Sequence, residues 1–571
     1  MTTHSGTVLS RSLASELIVG SNRRGAESGA GWLYALPRLA FERIVCVGAP
    51  TVGSLAALVA AGASVTVIEP SDRARRRVEG QVRSAGWAAS VRTAPDDIPI
   101  AEGAPIDLLV VTAGQLAGAG RARIGRLLDR LAADGVAFLP DDVRRSASMV
   151  PSGRGTLALA LTPVRGEVRS AVPTGDSAMR ATIHRLGLEG SALPHPRLTV
   201  MAQRLSSWTR RLRPSSVLMH ESPSRRSALL VGDPAATNGD VPRYVRDLAL
   251  AGGYDLSDWG WGVAARGVYD SQKVLILLRP PGAASPTGLV KVTRSHRHSA
   301  RLENEAQALE RLTSLSLAAG RAPEPWFAGR HADRALLGES AIEGEPFTSR
   351  ARWNADCPHL ADAITWLTEL GVATRHPVPA ATVATSLLAL LDRYVSIHRP
   401  PASESAALHD RFAALARLDD PIPTVFQHGD PGIWNLLVDS AGRTVFLDWE
   451  ASEPDGLPLW DLLYLFRSYA VATSRRAGTR DRLAAASRHL LDASPLGDQL
   501  VRAVERYREQ VGVPAGAVEA LIYGCWVHRS LKEATRMAPE RLGEGQFVRL
   551  IRRMLREPNA PTLGRLVGAR M

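Results

Sequence analysis

In the first third of the chain, apolar residues come in short blocks separated by charged stretches. Residues 43–48 (RIVCVG) read as a buried strand, 54–61 as a helix and 64–69 (SVTVIE) as a second strand. Residues 72–85 follow as a helix with its charges outward, then 107–112 (DLLVVT) as a strand and 121–133 as a helix. This βαβαβα order predicts a doubly wound parallel sheet of the α/β class.

From about 240 the pattern changes to α+β. Residues 273–278 (KVLILL) and 288–293 (GLVKVT) predict adjacent antiparallel strands, 300–315 a helix and 335–340 another strand. Beyond 355 the periodicity is helical, broken by short apolar runs at 424–427 and 444–447. The expected shape is a bilobal one, a small β lobe followed by a large helical lobe. Pro214, Pro223, Pro234 and Pro242 stand among Ser, Gly and Asn and predict a linker at 216–242. The expected organisation is an extension at 1–30, an α/β domain at 31–215, the linker, a β lobe at 243–340 and a helical lobe at 341–571.

A length of 571 residues is enough for two to four domains. The three cysteines, Cys46, Cys357 and Cys525, are far apart, which excludes a disulfide framework or a cysteine zinc site and fits a reducing cytoplasm. The first residues lack a basic segment followed by an apolar one, and the apolar stretch 55–68 is short for a bilayer. A cytoplasmic chain without a membrane span is expected. The formal charge is +12, and 66 of the 69 basic residues are arginine. Residues 1–225 hold 28 basic and 18 acidic residues, so the excess belongs to the N-terminal part. No interleaved aromatics, zinc finger or RNA-binding motif accompanies it, and nucleic acid is not an expected partner.

The candidate chemistry lies in Phe426-Gln-His-Gly-Asp-Pro-Gly-Ile-Trp-Asn-Leu-Leu-Val438 and Val445-Phe-Leu-Asp-Trp-Glu450. Asp430 is followed five positions later by Asn435 and thirteen after that by Asp448. Phosphoryl transfer needs a carboxylate to orient the acceptor hydroxyl and take its proton, plus an amide oxygen and a second carboxylate to hold Mg²⁺ on nucleotide phosphates. Upstream, Lys291 sits in the middle of an apolar strand, a costly position unless it has a partner. Glu305 would face inward on the next helix beside Leu309 and Leu312.

This set resembles the aminoglycoside phosphotransferase and choline kinase family over roughly 255–480. The resemblance implies a protein-kinase-like fold, ATP and Mg²⁺ as cofactors, Asp430 as catalytic base, Asn435 and Asp448 as metal ligands, and Lys291 with Glu305 anchoring the nucleotide. Asp461 is read as bracing the catalytic loop and His428 as an orienting residue. The stretch from Gly260 to Gly267 supplies spaced glycines without a tight phosphate-loop motif.

In the first region, Val45-Cys-Val-Gly-Ala-Pro-Thr-Val-Gly-Ser54 joins strand to helix, and Glu69 ends the next strand. A glycine turn admits a ligand close to backbone, and an acid at the second strand end can bind ribose hydroxyls. The region resembles a degenerate, Rossmann-like class I S-adenosylmethionine-dependent methyltransferase over roughly 40–180. That resemblance implies Gly48, Gly53 and Glu69 as cofactor contacts. Cys46 and Pro50 stand where the family usually has an acid and a glycine.

The expected function is an ATP- and Mg-dependent phosphotransferase acting on a hydroxyl of a small molecule or glycan end, with a methyltransferase-like domain that modifies the same substrate. Two alternatives stand beside it: an antibiotic-modifying kinase, and a non-catalytic nucleotide-binding scaffold of pseudokinase and pseudo-methyltransferase halves.

Overall fold

The computed structural model describes residues 30–95, 105–112, 115, 119–140, 146–164, 167–185, 226–265 and 270–568. Expectations for 1–29, 186–225 and the glycines near 267 lie outside them. The chain divides into two compact units, one containing residues 30–303 and 325–341, the other 304–324 and 342–568.

The first unit is built on one thirteen-stranded mixed sheet. Its strands are β1 (Phe41–Val47), β2 (Gly62–Ile68), β3 (Val91–Ala94), β4 (Ile106–Val111), β5 (Leu131–Pro140), β6 (Gly155–Val164), β7 (Glu167–Pro173), β8 (Arg226–Gly232), β9 (Gly260–Ala264), β10 (Val274–Arg279), β11 (Gly288–Val292), β12 (Pro325–His331) and β13 (Arg334–Ser340). The order β3-β2-β1-β4-β5 is parallel throughout, as the βα alternation predicts. Along β1, Ile44 and Cys46 enter one core while Val45 and Val47 enter the other, so the strand is apolar on both faces.

The sheet does not stop there. Every pairing from β5 through β8, β6, β7, β9, β10, β11 and β13 to β12 is antiparallel. The two strand-rich regions expected as separate domains therefore share one sheet and one apolar core, which runs from Trp32 and Ile44 to Val290 and Leu336.

Two expectations change with it. The stretch expected as a linker at 216–242 contains β8, which pairs with both β5 and β6. Its Ala228-Leu-Leu-Val231 run is buried, and that burial outweighs the prolines around it. The helix expected over 121–133 spans Ala119–Leu128 instead, and β5 begins at Leu131. Strand pairing and burial of Val136, Phe138 and Leu139 decide that boundary.

The second unit is largely helical. Helix Ala380–His398 has the length and apolarity of a membrane span, but it buries Val383, Leu387, Leu391 and Tyr394 and packs on helices Ala402–Ala414 and Val518–Ala534. Those contacts account for its composition as a core helix.

His528 lies inside this unit, stacked on Trp460 with ring centroids 4.9 Å apart. Burial, reinforced by Lys532, Arg529 and Arg393, holds its pKa well below the usual value. His398 and His489 are lowered by burial as well. Below pH ~6.5 the unfolded chain binds protons that the native state refuses, so stability is full above that pH and is lost on acidification. The melting temperature should fall between pH 7.5 and 5, and His528→Phe should flatten the fall. An unchanged melting temperature over that range would contradict this assignment.

Candidate active site

Strand Ile422–Gln427 is buried at every position and delivers the chain to His428. The turn after it requires glycine. Gly429 has φ +78°, and a Cβ there would overlap the carbonyl oxygen of Ala451. Asp461, in the first turn of helix Trp460–Arg476, accepts the backbone N–H of His428 at 2.6 Å and of Gly429 at 3.0 Å. Burial raises the Asp461 carboxyl pKa against the opposing pull of these bonds. One carboxylate thus fixes both residues ahead of Asp430, the bracing geometry expected of it.

His428 is fully buried between Trp449 and Phe446. Its Nδ1 accepts the Asp430 N–H at 3.2 Å, so Nε2 is the donor to the carbonyl of Leu447 at 2.9 Å. The ring ties the loop carrying Asp430 to the strand end carrying Asp448.

Strands Leu436–Val438 and Thr444–Phe446 form a hairpin with Leu436 opposite Phe446. That register sets Asn435 and Asp448 at its open end, where the Leu447 N–H bonds to the Asn435 carbonyl at 2.8 Å. The Asn435 Nδ2 donates to the Asp430 carbonyl at 3.0 Å. Asp448 has φ +66° and ψ 64°, an unusual conformation for a non-glycine residue. Such strain collects at functional sites.

The carboxylate of Glu305, fully buried, accepts the N–H of Trp449 at 3.1 Å, directly after Asp448. Asn304 donates to the carbonyls of Glu450 and Ser452 at 3.2 and 3.0 Å. Two side chains in the middle of helix Ser299–Thr313 therefore hold the backbone that follows Asp448.

In the other unit, Lys291 on β11 is buried and its Nζ meets Glu339 Oε1 on β13 at 2.8 Å. Lys291 stands opposite Leu337 and Leu289 opposite Glu339, so the pair is a diagonal one on a single sheet face. Glu339 is one partner of the kind that the lysine's position demanded.

Gly48 and Glu69 follow the carboxyl ends of β1 and β2, beside the point where the strand order reverses between β1 and β4, and Gly53 lies in the first turn of helix Val52–Ala61. The chain itself occupies that turn. The side of Gly48 where a Cβ would stand faces Thr112 and Gln115. Glu69 is buried, with Oε1 on the Ser71 N–H at 3.0 Å at the start of helix Asp72–Ala85. The Gly48 N–H is spent on the Ile68 carbonyl at 2.8 Å. Gly48 and Glu69 are thus both engaged by the chain's own atoms, with Thr112 and Gln115 beside the first and the Ser71 N–H on the second.

Sequence reasoning missed Arg529. It lies 99 positions after Asp430, on helix Val518–Ala534, and its Nη1 is 3.3 Å from Asp430 Oδ1. Its signal was legible: a charge inside the apolar run from Ala520 to Leu531 needs a partner, by the argument applied to Lys291.

Residues 266–499 match the phosphotransferase enzyme family. No curated protein matches. An aminoglycoside phosphotransferase from Streptomyces rimosus is similar at 18% identity, covering 52% of this chain and 98% of that one with a TM-score of 0.29. The choline kinase LicA from Streptococcus pneumoniae is similar at 15% identity, covering 49% and 88% with a TM-score of 0.30. The kinase-inhibitor complex of WbdD is similar at 13% identity, covering 86% and 87% with a TM-score of 0.22. Asp430, Asn435, Asp448, Lys291 and Glu305 all fall inside the phosphotransferase-family segment, and Arg529 falls outside it.

Proposed function

We propose that the chain is an ATP- and magnesium-dependent phosphotransferase that acts on a hydroxyl of a small molecule or glycan end. The observation that carries this reading is the convergence of Asp430, Asn435 and Asp448 through the hairpin register and the His428 bridge.

The donor set suits magnesium. Mg²⁺ takes oxygen ligands and is bound by one or two protein groups plus phosphates rather than by a protein cage. Asn435 Oδ1 and the Asp448 carboxylate are two such oxygens. Among the described residues no group of three or more His, Cys, Asp or Glu gathers anywhere. Bound Mg-ATP would supply the phosphoryl group and neutralise its charge. Lys291, kept in place by Glu339, is the cation for the nucleotide phosphates. Glu305 holds the backbone after Asp448, so the metal-binding carboxylate keeps its unusual conformation. Asp430 orients the acceptor hydroxyl and takes its proton as the bond to phosphorus forms.

The test is release of ADP from ATP with a panel of acceptors (a neutral hexose, an amino sugar, choline, streptomycin), with magnesium and with EDTA. Magnesium-dependent release stimulated by at least one acceptor is expected. No magnesium-dependent release with any acceptor or with water would favour a nucleotide-binding scaffold instead.

A further inference from the structure

We infer that Arg529 is a positioning residue for the phosphotransferase reaction, which locks the carboxylate of Asp430 from a helix beyond the family-matched segment. The inference rests on the reading of Asp430 as the base.

The guanidinium makes three contacts around the base. Nη2 donates to the Gly429 carbonyl at 2.7 Å, Nη1 faces Asp430 Oδ1 at 3.3 Å, and Cζ lies 3.4 Å over the ring of Tyr464. Arg529 is only 5% exposed, whereas the Asp430 side chain is 34% exposed. The fork thus approaches from the protein side and leaves the outward part of the carboxylate for the acceptor. A planar, rigid guanidinium that grips both the peptide before Asp430 and its carboxylate fixes the base in rotation as well as in place. Tyr464 clamps the fork from the other face. Burial, with the Asp430 charge next, pushes its phenol up to about 12, so it stays a neutral ring under the cation.

A buried arginine is expensive unless its hydrogen bonds are met. A role confined to folding would be served by the Gly429 carbonyl and the ring alone. The third contact, to the one carboxylate that the reaction needs, is what assigns a role in turnover. Phosphoryl transfer draws its rate from alignment of the attacking hydroxyl, so loss of the lock should appear in kcat.

The experiment measures magnesium-dependent ADP release, with the acceptor that gives the highest rate or with water, for the full chain and for Arg529→Met, Arg529→Lys and Asp430→Asn. Unfolding midpoints are recorded for each. Arg529→Met should lower kcat about 100-fold with KM for ATP within about threefold. Guanidinium ion at millimolar concentration should restore part of the rate, a rescue that a purely structural role would not give. Arg529→Lys keeps the charge without the fork and should fall between the two. If Arg529→Met does not fold, Arg529→Lys decides: wild-type kcat in that variant overturns the inference. A folded Arg529→Met with kcat within about threefold of wild type also overturns it. If Asp430→Asn retains full turnover, it is the underlying reading of Asp430 that fails.

Discussion

Asp430→Asn should lower phosphoryl transfer roughly a thousandfold, about 4 kcal/mol in the activation barrier. The amide keeps the shape of the side chain, so its Oδ1 can still accept from Arg529. The backbone around it is held by Asp461, His428 and Asn435, none of which depends on the lost charge. The substitution removes the proton acceptor together with the charge that faces the buried guanidinium of Arg529. The unfolding midpoint should fall by no more than about 5 °C, and KM for ATP should stay within about threefold. Steady-state kinetics of ADP release and a thermal melt check both parts. Turnover at a tenth of wild type or more would mean that another group takes the proton, or that deprotonation contributes little to the rate.

The second large effect concerns the sheet. A fragment starting at residue 243, the boundary that composition suggests for the β lobe, should be insoluble or should melt without a cooperative transition. In the intact chain β9 pairs with β7 at Ser170–Ala264 and Ala171–Val263, and the Ala265 N–H reaches the Arg169 carbonyl at 2.8 Å. Tyr244 donates to the Tyr34 carbonyl at 3.0 Å, and Trp261 Nε1 donates to the Gly239 carbonyl at 2.9 Å. Cutting at 243 exposes the β9 edge and one wall of Tyr244, Trp261, Val263 and Ile276. At roughly 2 kcal/mol for each of four side chains the loss is about 8 kcal/mol. A whole domain is stable by only about 5–15 kcal/mol. An open edge beside an apolar wall also invites association. Expression of 243–571 beside the full chain, with sedimentation and a thermal melt, tests this. A monomeric fragment with a sharp, near-native transition would show that the shared core is not needed.

The same feature explains what could be read from the sequence and what could not. The chemistry was legible because it is local. Asp430, Asn435 and Asp448 sit within nineteen consecutive residues, on a loop and one tight hairpin. β1, β2 and β4 were legible because their apolar runs fill both faces of the sheet and helices bound them, whereas β3 and the start of β5 were not read. The junction was not. β8 lies between β5 and β6, about ninety residues after β5, and nothing within the strand names its neighbours. Prolines and serines nearby look like a linker whether or not the strand among them is buried. The Gly48 turn is a separate case. Its spacing suits a nucleoside, and the side chains beside it, Thr112 and Gln115, follow a different strand end that its own sequence does not name.

Asp448 carries a consequence for how the gene can change. Its backbone has φ +66°, a region that asparagine and glycine occupy more readily than most residues. The codons for both are a single base away from those for aspartate. The Asp448 carboxylate, read here as a metal ligand, therefore stands where two of its single-base replacements suit the backbone at least as well as aspartate does. Selection on folding alone would not preserve it. A lineage that lost the need for the reaction would keep a well-formed, abundant protein while this position drifted, and its silence would be visible at codon 448 before it was visible in stability.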